Sequence, residues 1–133
     1  MLVLLSTSIS FGQNLKQHQW EQRVLIVASK QSDLLERQID SLNQNLLGLE
    51  ERKLVIYQVT PMGYTVGVQN DNFVPTARFY RDIRRTKKDF EVILIGLDGG
   101  VKLRQTELLT LEKLFTLIDG MPMRRSEIRN KYE

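Results

Sequence analysis

The sequence predicts an α/β domain on a mixed sheet, with elements in the order β-α-β-α-β-β-α and an additional helical tail. Three observations predict it. The run Val92-Ile93-Leu94-Ile95, extended by Leu97, is almost continuously aliphatic, as a strand covered on both faces must be. Asp98-Gly99-Gly100 follows it and carries the Asp-Gly pair that marks a tight hairpin. Leu35, Ile39, Leu42 and Leu46 recur at spacings of 4, 3 and 4, one face of a helix, between two short apolar strands. Strands joined through a helix form a parallel pair with a right-handed crossover.

Taken in order, the chain opens with Leu2-Val3-Leu4-Leu5, an apolar run that continues through Ile9 to Phe11. Ser10-Phe11-Gly12 places small residues where a signal peptidase reads them, so residues 1–12 are read as a secretory signal cleaved near Gly12-Gln13, its charged start missing. The alternative is a disordered or strand-like tail. The run is too short to span a bilayer. Trp20 is expected to anchor packing at the start of the first strand, and His18 to be an exposed surface residue.

Val24-Leu25-Ile26-Val27-Ala28 forms that strand. Asp33 is placed as the N-cap of the first helix with Glu36 as capping-box partner, and Gly48 as its C-terminal end. Glu50-Glu51-Arg52-Lys53 reads as a solvated loop, and Leu54–Thr60 as a second strand ended by Pro61. Residues 61–74 are left without an assignment, apart from a short extended piece over Thr65–Val68 among turn formers. Pro75 suits the first turn of a helix whose stripe is Ala77, Tyr80, Ile83 and Arg84, widened by Phe79, and whose end is basic. After the hairpin, Val101 and Leu103 alternate with Lys102 and Arg104, giving an apolar and a basic face. Thr110 caps a helix with Leu111, Leu114, Phe115, Leu117 and Ile118 on one face; Gly120 ends it, Pro122 blocks its continuation, and a polar helical tail follows.

This order predicts a thioredoxin-like three-layer sandwich, a four-stranded mixed sheet between helices, spanning residues 13–133 as one domain. A flavodoxin-like fold would need further βα units. At 133 residues the chain buries enough surface to fold without metal or disulfide. It has no cysteine, which removes dithiol exchange, cysteine nucleophiles and thiolate metal sites. One histidine makes a histidine-rich metal site or a serine–histidine triad improbable, and no cofactor is expected. A net charge of +3 with interspersed signs does not argue for nucleic acid.

Three stretches carry a family resemblance. They are Trp20 with Arg23–Val27, Ile95-Gly96-Leu97-Asp98-Gly99-Gly100-Val101-Lys102-Leu103-Arg104, and Leu114–Asp119 with Gly120-Met121-Pro122-Met123-Arg124-Arg125. Together they resemble a thioredoxin-like domain family of unknown function. It occurs in secreted bacterial proteins and in extracellular animal proteins of the sushi-repeat-containing and coiled-coil-domain-containing types. The ending Ala28-Ser29-Lys30 departs from the phenylalanine- and proline-containing pattern of that family. The resemblance implies the fold and a secreted or periplasmic location. It implies no catalytic residues.

Two candidate sites follow from the residues themselves. Lys102 and Arg104 on one strand face, with Arg124 and Arg125 on the returning tail, would converge on a phosphate, sulfate or carboxylate. Alternatively they pair with Asp98, Asp119, Glu107 or Glu127 and order the C-terminus. The amides at the first helix's N-terminus, beside Lys30 and Ser32, form a generic anion pocket unless Asp33 caps them. The function expected is a non-catalytic, exported domain that binds an anionic ligand or a protein partner. The alternative is a cysteine-free enzyme or redox-pathway accessory using the basic cluster.

Overall fold

The computed structural model describes residues 15–69 and 72–132. Residues 1–12, read above as a signal segment, lie outside them. The elements are β1 (Arg23–Ser29), α1 (Ser32–Asn43), α2 (Leu46–Glu51), β2 (Leu54–Thr60), β3 (Gly63–Val66), β4 (Val74–Pro75), α3 (Arg78–Ile83), β5 (Phe90–Ile95), β6 (Val101–Gln105), α4 (Leu111–Asp119) and α5 (Pro122–Tyr132). Among the described residues the fold is mixed α/β, with one six-stranded sheet in the order β4-β3-β2-β1-β5-β6. β1 and β2 are parallel, and the other pairs are antiparallel.

β1 and β5 are buried along their whole length, which explains their unbroken apolar sequences. Alternate residues feed two cores. Leu25, Val27, Val92 and Leu94 pack with Leu42, Leu49, Leu114 and Ile118 beneath α1, α2 and α4. Val24, Ile26, Ile93 and Ile95 pack on the opposite face with Tyr57, Phe79, Tyr80 and Ile83 beneath α3. The expected Thr110 cap forms: its hydroxyl accepts from the Lys113 amide at 3.2 Å. Gln38, fully buried, locks α1 to the start of α4 by donating to Leu109 O at 2.8 Å and accepting from Leu109 N at 2.7 Å.

Several local expectations are corrected. The first helix is split in two. Gln44-Asn45 interrupts it, and the Asn45 side chain caps α2 by accepting from the Gly48 amide at 2.9 Å. Gly48 is therefore inside a helix and buried, not at its end. A Cβ there would lie 2.8 Å from the Phe115 ring, so glycine is what lets α4 approach α2. The N-cap of α1 is Gln31 rather than Asp33, which sits in the first turn. Trp20 is exposed rather than a packing anchor, held in the left-handed region at φ 72° with its amide donating to Leu97 O at 2.6 Å. His18 is half-buried rather than exposed. Its Nδ1 lies 2.6 Å from Gln22 Oε1 and its Nε2 2.7 Å from the Tyr57 hydroxyl.

The unassigned stretch supplies β3 and β4, so the sheet has six strands where four were expected. Pro75 lies in edge strand β4, where its missing N–H is harmless, and α3 starts three residues later. Arg84 follows α3 on extended backbone instead of extending its stripe. The hairpin turn forms where expected. Gly99 takes φ 84°, and Asp98 Oδ1 accepts from the Gly100 amide at 2.9 Å.

Candidate functional site

The sequence-predicted cations do not converge. A register shift in the β5–β6 hairpin pairs Leu94 with Leu103 and Ile95 with Val101, which leaves Lys102 as the extra residue. The bulge breaks the parity that would have put Lys102 and Arg104 on one face. Lys102 lies over Gly96 on the α4 side of the sheet and donates to Asp98 Oδ2 at 2.9 Å. That bond, with the Gly100 amide, holds the Asp98 carboxyl below its usual range. Arg104 turns to the α3 side, donating to the buried Glu91 at 2.6 Å and to Ile83 O at 3.1 Å. Arg125 is exposed, in a shallow depression with Asp119, Ile128 and Arg129.

Arg124 is buried and lies at the centre of an ion-pair knot. Its Nε donates to Asp119 at 3.1 Å, its Nη2 to Glu51 at 3.3 Å, and its Nη1 to Glu127 at 3.4 Å and to Glu51 O at 3.2 Å. Arg52 joins the knot: its Nε and Nη2 grip the two oxygens of Asp119 at 3.0 and 2.8 Å, and its guanidinium stacks 3.8 Å from the Phe115 ring centroid. Glu50-Glu51-Arg52-Lys53 is thus not a solvated loop. Burial works to raise the Asp119 pKa, but the hydrogen bonds from Arg52 and Arg124 outweigh it, and the carboxyl sits below its usual value. Hydrogen bonds from Arg124 and Lys131 lower that of Glu51. The knot ties α5 to α2 and the end of α4. This is the second of the two outcomes expected for Arg124.

Beside the knot is a cleft of about 300 Å³ at the end of the sheet where β1 begins, lined by Arg23, Leu97, Lys102, Met121, Pro122 and Met123. The hairpin supplies one wall and the α4–α5 junction the other. Arg23 is only 1 % exposed. It shares the parity of Leu25 and Val27 and so faces the α4 side. Its Nη1 donates to Arg52 O at 3.0 Å and reaches both oxygens of Glu127 at 3.3 Å. Its Nε and Nη2 are buried and make no hydrogen bond to any described residue. Sequence reading passed over Arg23. The available signal was an arginine on the buried parity of an apolar strand, where a cation needs partners.

Lys30 and Ser32 are both exposed at the opposite end of β1 from Arg23, by the start of α1. The Ser29 hydroxyl there accepts from the Gln31 amide at 3.0 Å and donates to Gln31 O at 2.7 Å. Among the described residues no group of three or more His, Asp or Glu side chains is placed to hold a metal ion, and no helix is long and apolar enough to cross a membrane.

Residues 14–127 match the family described as a domain of unknown function (DUF4174), and the chain belongs to that family. No curated protein and no solved structure matches the chain.

Proposed function

We propose that this is an exported, non-redox thioredoxin-like domain that works by binding, with its site at the cleft between the β5–β6 hairpin and the α4–α5 junction. The observation that carries the binding reading is where the hairpin and the α4–α5 junction meet. Two stretches far apart in sequence, Gly96–Lys102 and Met121–Met123, form opposite walls of one cleft. The thioredoxin-like reading is supported by topology. A parallel β1-α-β2 unit is followed by a β5-β6-α4 unit around the order β2-β1-β5-β6, with β3 and β4 added beyond β2. The absence of cysteine makes the function non-redox in the thiol sense. Export rests on the apolar run ending at Ser10-Phe11-Gly12.

The binding reading is tested by NMR titration of the folded chain with carboxylates, inorganic phosphate and a heparin-like polyanion, at low and high salt. Saturable shifts with at least one probe class are expected. No saturable response to any class would remove the reading. Export is tested by sequencing the N-terminus of protein recovered outside the cytoplasm of a secreting host. A start at Gln13 is expected, and retention inside the cell with residues 1–12 intact would refute it.

A further inference from the structure

The binding reading above does not name a ligand, and Arg23 supplies the missing chemistry. A guanidinium offers a planar side-on fork, Nε–H with Nη2–H, that matches the two oxygens of a carboxylate. This protein uses that fork once already, where Arg52 Nε and Nη2 hold Asp119 at 3.0 and 2.8 Å. The same two atoms of Arg23 are buried and, among the described residues, without a partner. Buried donors left unpaired are uncommon in folded proteins because each forfeits its hydration.

Local charge points the same way. Glu127 is the carboxylate nearest Arg23, and it is shared among Arg23, Arg124 and Lys53 at 3.3, 3.4 and 3.8 Å. Arg124 is also held by Asp119 and Glu51, so among the described residues Glu127 is the shared ion-pair partner of two cations, Arg23 and Lys53, which leaves one positive charge over and room for a second carboxylate. Lys102 adds a fourth cation in the cleft wall, balanced by Asp98 at 2.9 Å. Asp98 and Gly96 also line the cleft, and the rest of the lining is apolar: Leu97, Met121, Pro122 and Met123. Methionine adapts its shape to an aliphatic surface.

We propose that the cleft binds a carboxylate with an adjoining aliphatic group, the carboxylate side-on to Arg23 Nε and Nη2 and the aliphatic part on Met121, Pro122 and Met123. Two sources share that chemistry, a free aliphatic acid and the C-terminus of a peptide ending in an apolar residue. The test is a ¹H–¹⁵N titration of the whole chain, including the arginine Nε–H signals. The probes are sodium hexanoate, hexanamide, and a pentapeptide ending in leucine with a free or an amidated C-terminus. Hexanoate is expected to bind saturably, moving the Arg23 Nε–H together with Leu97, Lys102 and Met123, and hexanamide at least about tenfold more weakly. Binding of the free-ended peptide but not the amidated one, tighter than hexanoate, identifies the chain terminus as the source. The reverse order identifies the free acid.

Arg23 also holds the Arg52 carbonyl and Glu127, so the deciding variant leaves it in place and is Met123→Glu. Met123 is half-exposed in the first turn of α5, where an acidic residue is tolerated, and the new carboxylate would compete for the fork. Hexanoate binding should weaken at least about tenfold while the spectrum stays folded. Equal affinity for hexanoate and hexanamide, hexanoate shifts outside the cleft, or an unaffected Met123→Glu variant would each overturn the proposal. A response to phosphate or polyanion alone would overturn it while leaving the broader binding reading intact; silence from every probe would remove both.

Discussion

Arg52 presents Nε and Nη2 to the two oxygens of Asp119. Arg23 sits beside it, donates from Nη1 to the Arg52 carbonyl, and presents the same pair of donors to no described residue. The two guanidiniums belong to one charged cluster, yet the side-on fork of one is filled by a partner and that of the other is buried and unfilled among the described residues. The closed part, Arg52 and Arg124 with Asp119, Glu51 and Glu127, does structural work by tying α5 to the body of the domain. The open part works against stability, because unpaired buried donors lose hydration and gain nothing. Local rules that are satisfied in one place and broken beside it mark the broken place as the functional candidate.

The comparison can be broken in several ways, here from the largest effect to the smallest. Arg124→Met strips three carboxylates of a shared cation at the buried centre of the knot. Because those carboxylates are partly hydrated, the loss should be about 2–3 kcal/mol, below that for breaking a fully buried pair. Urea unfolding measures it, and a loss of under half that would mean the knot is ornamental. Arg52→Met removes the bidentate grip on Asp119, the bond to Gly48 O and the stacking on Phe115, for about 1–2 kcal/mol.

Acid should open the same knot. Asp119 and Glu51 have folded pKa values below their ordinary ones, so their stabilising contribution is present above the unfolded value of about 4 and is lost as pH falls through the folded values. Unfolding free energy should therefore decline between about pH 5 and pH 2. The decline should be shallower in Asp119→Asn; an equal slope would place the titration elsewhere.

Arg23→Met should behave unlike either neighbour. It removes one ion pair and the bond to the Arg52 carbonyl but also two unsatisfied donors, so its stability should stay within about 1 kcal/mol of the parent, and its hexanoate response should vanish. A loss as large as that of Arg124→Met would show that the open fork is not open in solution. Lys102→Ala, which breaks a solvent-screened pair with Asp98, should leave the urea midpoint essentially unchanged.

Much of the fold is legible along the chain because burial on both faces writes itself as an unbroken apolar run. β1 and β5 are such strands, and the turn between β5 and β6 announces itself through glycines that take or neighbour a positive φ. Thr110 was readable as a cap for the same local reason. β4 was not readable, and β3 only in part, through the extended piece expected over Thr65–Val68, which overlaps it at Thr65 and Val66. They are short edge pieces whose pairing comes from strands and turns beyond their own residues. Gly48 looked like a helix end, since a helix and the ring that fills the space beside glycine are separated by 67 residues in Gly48 and Phe115.

The site divides in the same way. The exclusion of thiol chemistry, the hairpin, the terminal helix and the basic character of the C-terminal stretch follow from composition and short-range spacing, so the sequence by itself determined them. Which cations meet was decided by tertiary structure alone. One bulged residue at Lys102 sends Lys102 and Arg104 to opposite faces, because side chains alternate along a strand and an inserted position reverses the parity. The fold of α5 back across β1 buries Arg124 among three carboxylates and leaves Arg23 beneath it with two donors unfilled. Hydrogen-bond satisfaction depends on which groups arrive within about 3 Å of each other, a quantity set by packing across the whole chain rather than by any stretch of it.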